Sequence, residues 1–183
     1  MKNNKGFTLV EVLAMLVVLG IIIGVTVPNI TGILNNQKTN LIAEDGIKMI
    51  ENAKNEFIVS EKVKYPEDGK CVIFTLDRLD KNSDIENGKY NKTKSFVTVK
   101  RVAKSYQYSV RLIEQLSNGK LYGISNASES SLNSETKKNF LGEIKEDYIV
   151  DFSSAKSLDD AKNALASDNV GGCTKDILTG FYN

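Results

Sequence analysis

Residues 5–28 read KGFTLVEVLAMLVVLGIIIGVTVP, and this stretch decides the architecture of the chain. Between residues 7 and 27 the only ionisable side chain is Glu11, and residues 12–25 carry no polar side chain. As a helix, about 21 residues span roughly 31 Å, which matches the ~30 Å hydrocarbon core of a bilayer. The stretch therefore predicts one transmembrane helix.

Two lysines, Lys2 and Lys5, are the only charged residues before this segment. Positive charge beside a span predicts a cytoplasmic N-terminus, with the rest of the chain on the outer side. The candidate processing site, Gly6-Phe7, precedes the apolar segment. A secretory signal is cleaved after its apolar part, which is then discarded. Cleavage at Gly6-Phe7 would instead leave the segment on the mature protein.

Glu11 is unusual in such a segment, because a carboxylate inside a membrane span costs on the order of 2.5–3.5 kcal/mol and is normally paired. No basic side chain follows Gly6 within the segment. Cleavage would create an α-amino group at Phe7, and this amine on one subunit could neutralise Glu11 on its neighbour. Alternatively, Glu11 lies in the headgroup region of a simple membrane anchor and needs no partner. The spacing leaves both interpretations open.

Together with the unbroken apolar run, Gly6, Phe7, Glu11, Gly20 and Pro28 resemble the N-terminus of a type IV prepilin. The resemblance covers roughly the first 30 residues at motif level. It implies that a dedicated membrane peptidase cleaves between Gly6 and Phe7 and N-methylates Phe7. It also implies that Glu11 contacts the Phe7 amine of an adjacent subunit, and that the apolar segments pack in the centre of a filament.

The resemblance also implies partners and places for the protein. The partners are other pilin subunits, the prepilin peptidase, the assembly platform with its ATPase and, before assembly, the cytoplasmic membrane. The protein would cross that membrane once and then move into an extracellular pilus that serves adhesion, surface motility or biofilm formation. No nucleic acid is expected, because 24 Lys and Arg nearly balance 23 Asp and Glu without a long basic run.

The residue pattern and the resemblance predict a pilin fold of class α+β, in which a long N-terminal helix packs against an antiparallel sheet. We expect four parts along the chain. They are a leader at 1–6, a transmembrane or filament-core helix at 7–28, an amphipathic half of the same helix at 29–64, and a globular head at 65–183.

The long helix is predicted to continue beyond Pro28, because apolar residues recur there at helical spacing. It should end near Glu61, since Pro66 disfavours helix at the preceding residue. Gly20, Gly24 and Pro28 weaken the helical backbone near the membrane exit. Two interpretations stay open: a simple kink between anchor and soluble helix, or a stretch that unwinds when a filament is pulled.

Three strands are predicted in the head, at residues 96–99, 106–112 and 121–124. Ser117-Asn118-Gly119 is a hairpin turn between the last two. An antiparallel meander of these strands would cover the soluble half of the helix. A fourth strand is predicted at residues 148–152.

The remaining head segments have weaker patterns. Residues 71–79 are apolar and suit a short helix or a strand, whereas the polar residues 126–139 are expected to be exposed. Ser157 begins a predicted helix with acidic residues in its first turn, which runs to about Ala166.

The two cysteines, Cys71 and Cys173, both lie in the part predicted to be exported. Exported domains use disulfides, and a bridge closing a loop of about 100 residues contributes up to roughly 4–5 kcal/mol in the chain-entropy model. We therefore predict a Cys71–Cys173 disulfide that ties the start of the head to its C-terminal end. Two buried, reduced thiols are the alternative.

The composition argues against an enzyme and against cofactors. The chain has no histidine, which excludes Ser–His–Asp and Cys–His arrangements, and without a Cys-x-x-Cys motif no metal site is predicted. Residues 80–86 alternate oxygen ligands, but Ile85 stands where a calcium-binding loop has glycine. Tyr106, Tyr108 and Tyr122 could line a binding face, but alternation along strands favours core packing.

Two other functions remain alongside the pilus subunit. A pseudopilin of a type II secretion or competence machine would carry the same N-terminus. A single-pass, membrane-anchored binding domain that never assembles would tolerate Glu11→Ala, whereas a pilin would lose assembly.

Overall fold

The computed structural model describes residues 8–80, 85, 89–145, 149–165 and 170–183, with the backbone alone described at 24–35. The chain divides into two compact units. The N-terminal unit is Met1–Lys38, and the globular unit is Thr39–Asn183.

One helix, α1 (Leu9–Val59), supplies residues to both units. Its end at Val59 confirms the helix end predicted near Glu61 to within two residues. In the globular unit α1 is amphipathic: Ile42, Met49 and Ile50 are buried, whereas Glu44 and Lys48 are exposed. The buried face packs on a sheet, so the predicted helix-on-sheet arrangement is confirmed for this part of α1.

The sheet has six strands in the order β5-β4-β3-β2-β1-β6. Most neighbouring strands are antiparallel, and the meander predicted from the sequence is β2–β3–β4. The pair β1–β6 is parallel, which corrects the expectation of a wholly antiparallel sheet. The strands are β1 (Cys71–Thr75), β2 (Phe96–Val102), β3 (Ser105–Gln115), β4 (Leu121–Ser128), β5 (Leu141–Ile144) and β6 (Leu178–Tyr182).

β1 is buried over its whole length and β2 over its first four residues, because a layer of chain covers each side of the sheet there. The side facing α1 holds alternate residues such as Val72, Phe74 and Val97, in one core with the buried residues of the helix. Gly46 brings α1 close to the sheet, since a Cβ there would lie 2.5 Å from the Ile124 Cδ1 atom.

The opposite face is covered by the C-terminal part of the chain, which includes α4 (Leu158–Leu165). Phe96 of β2 meets Phe152 there in an edge-to-face contact with ring centroids 5.2 Å apart. A disulfide joins Cys71 to Cys173 in this second core, with Cα atoms 5.8 Å apart, so the predicted bridge is confirmed. The covalent link holds the C-terminal layer against β1.

Other predictions of secondary structure are confirmed in their essentials. Residues 71–79 contain both proposed elements, because β1 is followed directly by the one-turn helix α2 (Leu76–Leu79). The turn between β3 and β4 has Gly119 at φ 83°, a value that favours glycine. The predicted C-terminal helix is α4, which ends at Leu165.

The prediction of a strand at residues 148–152 is wrong for the described residues 149–152, which pair with no strand of the sheet. The Asp151 carboxylate accepts hydrogen bonds from the Thr93 hydroxyl (2.8 Å) and the Ser153 amide (2.9 Å). The Phe152 amide donates to the Thr93 carbonyl (3.1 Å). A side chain that bonds neighbouring backbone in this way competes with a strand, which explains the error.

The expectation that residues 126–139 form an exposed stretch is also wrong in part. Residues 126–128 belong to β4, and α3 (Glu129–Leu132) buries Leu132 in the main core. A 3₁₀ helix, Glu135–Phe140, then leads into β5. Neither element was predicted from the sequence. β6 was missed as well.

Candidate functional site

The start of α1 is closed by three reciprocal hydrogen bonds between Thr8 and Glu11. The Glu11 Oε2 atom accepts from the Thr8 amide (2.8 Å) and from the Thr8 hydroxyl (2.9 Å). The Thr8 Oγ1 atom accepts in turn from the Glu11 amide (3.3 Å). Threonine followed three residues later by glutamate, bonded in this way, is a capping box.

The capping box gives Glu11 a partner within its own chain, Thr8, which was not predicted from the sequence. The Thr-x-x-Glu spacing at residues 8–11 is the sequence signal of this cap. Two of Glu11's roles can therefore be separated: it caps a helix end, and it carries a charge. Gly6 and Phe7, the predicted processing residues, lie outside the described residues.

The helix after Glu11 is apolar on every side. Every large apolar side chain from Leu9 to Ile23 is exposed, with exposed fractions between 46 % and 87 %. A helix with no polar face is normally buried by lipid or by other protein, since water disfavours its whole circumference. These side chains are Leu9, Val10, Val12, Leu13, Met15, Leu16, Val17, Val18, Leu19, Ile21, Ile22 and Ile23.

The three residues predicted to weaken this helix lie inside α1, whose backbone is helical at Gly20, Gly24 and Pro28. At Gly20 an added Cβ would meet no atom within 4 Å, so packing does not require glycine there. Whether the segment unwinds under load remains a prediction. Within the part of the chain described here, no helix meets the length and apolarity needed to cross a membrane.

The apolar segment also lies within a known sequence motif. Residues 1–27 match the family model of the prokaryotic N-terminal methylation motif. The chain carries a prepilin signature. This signature is that of type IV pilins and pseudopilins, and the matching model describes a pilin-type motif rather than an enzyme family. No curated protein and no solved structure matches the chain.

The prepilin signature covers only residues 1–27. The candidate binding residues of the globular unit lie outside it. Tyr106, Tyr108 and Tyr122 are half-buried against the main core, which confirms the packing interpretation. Among the described residues no group of three or more metal-ligating side chains occurs.

The calcium-like loop at 80–86 lies largely outside the described residues. Asp80, at its start, forms an ion pair with Lys92 (2.8 Å). The hydrogen bond and the charge of Asp80 raise the pKa of the Lys92 ammonium. This pairing gives Asp80 a role in the fold that needs no ion.

The Asp151 carboxyl group in the globular unit has a shifted pKa. Burial alone would raise the pKa of Asp151, but hydrogen bonds from Thr93 and Ser153, with the charge of Lys94, lower it overall. The Lys94 ammonium lies 3.7 Å from the carboxylate. The carboxylate is therefore held ionised at the junction between β2 and the C-terminal layer.

Proposed function

We propose that this chain is a structural subunit of a type IV pilus. The observation that carries the proposal is the prepilin signature at residues 1–27, continued by a helix whose large apolar side chains are exposed on all sides. In this function the peptidase cleaves between Gly6 and Phe7 and methylates Phe7. The apolar helix holds the subunit in the cytoplasmic membrane until it enters the filament, where neighbouring subunits cover it.

The capping box adds a step to this proposal. Because Thr8 and Glu11 close the helix start, the Glu11 carboxylate is held at the N-terminal end of α1, close in sequence to residue 7. A carboxylate at that position can attract the α-amino group that cleavage creates at Phe7 of an incoming subunit. Neutralisation of the two charges would favour their burial in a low-dielectric filament centre.

The proposal is tested with three variants that separate the cap from the charge. Glu11→Gln retains a side chain that can cap the helix but removes the charge. Thr8→Val removes the capping hydroxyl but keeps the Glu11 carboxylate, and Glu11→Ala removes both functions of Glu11. Each variant is expressed in the native host, and the protein is quantified in the membrane and in material sheared from the cell surface.

We expect Glu11→Gln and Glu11→Ala each to lower the sheared fraction at least tenfold at an unchanged membrane level. Thr8→Val should retain most of the sheared fraction, because loss of a helix cap costs only about 1 kcal/mol. Normal surface assembly of Glu11→Ala would contradict the proposal and favour an anchored domain that never assembles.

The pseudopilin alternative rests on the same signature, which pilins and pseudopilins share. Electron microscopy of sheared material distinguishes the two. A pilus subunit gives long surface filaments that contain this chain, whereas a pseudopilin of a secretion or competence machine gives no such filaments at native expression.

A further inference from the structure

The sheet of the globular unit separates α1 on one face from the C-terminal layer, residues 149–165 and 170–177, on the other. The C-terminal layer is exposed on its outer side, for example at Lys156 and Asp160. In the proposed pilus the apolar part of α1 is held inside the filament. A pull on the C-terminal layer therefore has to cross the globular unit to reach α1.

The main chain offers only a long route between these two layers. α1 ends at Val59 and leads into β1, whereas the C-terminal layer follows β5. A force that followed the main chain would load β2, β3, β4 and β5 in turn. Antiparallel neighbours that are pulled apart from one end lose their ladder bonds one after another.

A shorter route runs through β1 and β6, which are adjacent and parallel. Cys71 pairs with Leu178 at one end of this ladder, and Phe74 pairs with Tyr182 at the other. The chain from α1 thus enters at one end of the pair, and the chain leaves β6 at the opposite end. Force on these two connections pulls the strands lengthwise past each other, so the ladder bonds are loaded together.

Hydrogen bonds tie both ends of the β1–β6 pair. At the start, the Cys71 amide donates to the Ile177 carbonyl (2.9 Å), and the Thr179 hydroxyl donates to the Cys71 carbonyl (3.2 Å). At the far end, the Thr75 hydroxyl donates to the Asn183 Oδ1 atom (2.6 Å). Sliding β6 along β1 would therefore break bonds at both ends of the pair at the same time.

The disulfide adds a covalent link to this route. Cys71, the first residue of β1, is bonded to Cys173, and both residues are completely buried. The bridge closes a loop that contains β2, β3, β4 and β5. A force that arrives from α1 can pass through the bridge into the C-terminal layer without stretching this loop.

We propose that β1, β6 and the Cys71–Cys173 bridge form a mechanical clamp between α1 and the C-terminal layer. The clamp transmits a pulling force between these two layers and leaves the strands β2 to β5 unloaded. Its use in a pilus rests on the proposed function, because the load would come from the filament. The clamp itself is a property of the globular unit, so it is measured on the purified chain whether or not that chain assembles.

The test is single-molecule force spectroscopy of the full-length protein in detergent micelles. Handles are attached through azide side chains introduced at two exposed positions, one of which is always Lys62, shortly after α1. The second handle is placed either at Asn183, beyond the end of β6, or at Lys175, before its start. The first pair of handles shears β6 along β1, and the second pair peels the strands apart from the Cys71 end. Only the pulled end of β6 differs between the two.

The ladder is first measured without the bridge, in a Cys71→Ala, Cys173→Ala double variant, which keeps both buried positions apolar. Each pulling cycle shows whether that molecule had refolded, so a variant that is folded only part of the time still gives unfolding forces. These forces report the rate of unfolding under load. At the same loading rate, we expect the Lys62–Asn183 handles to need at least twice the force of the Lys62–Lys175 handles.

The wild type tests the covalent route independently of the variant. With handles at Lys62 and Asn183, the bridge withholds from stretching the chain between two cysteines that lie 102 positions apart. The unfolding step of the wild type should therefore be shorter than that of the double variant by about 340–370 Å, at roughly 3.3–3.6 Å per residue.

Two results would overturn the proposal. Equal unfolding forces for the two pairs of handles in the double variant would show that the direction of pull on β6 does not matter, which removes the shear ladder. A full-length unfolding step in the wild type would show that force does not pass through the bridge. A twofold or larger ratio of forces, together with the shortened wild-type step, is the result that the clamp requires.

Discussion

The apolar segment Leu9–Ile23 and the globular unit treat their apolar side chains in opposite ways. In the globular unit, one hydrophobic core lies on each face of the sheet, and the largest residues of both cores are completely buried. In the apolar segment the exposed fraction of every large apolar residue is 46 % or more. The globular unit buries its large hydrophobic residues within its own cores, whereas the apolar side chains of the segment are exposed to water, an environment that disfavours them.

The comparison also separates two kinds of information. The segment is specified by contiguous residues, so that its motif and its helix cap can be found within a few positions. The globular unit is specified by contacts between distant residues, such as the bridge between Cys71 and Cys173. Substitutions in the globular unit should therefore change its stability, and substitutions in the segment should change assembly alone.

The largest effect is expected from loss of the disulfide. Cys173→Ser opens a link between residues 102 apart, and the free energy of unfolding of the globular unit should fall by about 4–5 kcal/mol. Urea unfolding of the full chain in detergent measures this change. Reductant should lower the wild-type midpoint towards that of Cys173→Ser and leave the variant unaffected. An unchanged midpoint in both would show that the bridge contributes little.

A core truncation sharpens the comparison between the two regions. Phe152 is fully buried in the second core, and Phe152→Ala should cost about 3–5 kcal/mol. Leu16, with 62 % of its side chain exposed, is the matched position in the segment, and Leu16→Ala should leave unfolding of the globular unit unchanged. Equal losses in the same urea titration would break the distinction between the regions.

Two glycines of α1 offer the same contrast at smaller magnitude. Gly46→Val places a side chain against Ile124 and Leu132, and overpacking of this kind costs about 1–3 kcal/mol. Gly20→Ala meets open space, so the globular unit should unfold as the wild type does. Thermal unfolding followed by circular dichroism measures both variants. A stable Gly46→Val would mean that α1 can move away from the sheet.

The smallest effect is a change in pH dependence. The pKa of Asp151 is lower in the folded state than the ordinary value near 3.9, so its stabilising contribution is present above about pH 4 and is lost as the pH falls further. Asp151→Asn should lower stability at pH 7 and flatten the acid limb of the stability curve. Urea midpoints measured between pH 2 and pH 7 test this, and parallel curves for the two proteins would argue against it.

Local patterns were sufficient to predict much of the fold. The end of α1, the strands β2 to β4 and the start of α4 each follow from helical spacing, alternation or capping residues within a few positions. The disulfide was predicted from the exported context and the presence of two cysteines. These signals are local or compositional, so they need no knowledge of the tertiary contacts.

Two of the failures, β6 and the strand at residues 148–152, involve contacts between distant parts of the chain. β6 contains Gly180 and lacks strong alternation, and its place beside β1 depends on pairing between residues about a hundred positions apart. Residues 149–152 have strand-like composition, but Asp151 bonds to Thr93 and Ser153 instead. At the N-terminus the prepilin pattern was predicted from the sequence and matches the methylation motif, whereas the cap formed by Thr8 and Glu11 was not predicted.

The most direct test of the account is intact-mass and N-terminal analysis of the protein from native membranes and from sheared surface material. We expect a chain that begins at methylated Phe7 and is present in the sheared fraction, which would establish processing and filament incorporation together. A chain that still begins at Met1 and stays in the membrane would contradict the account.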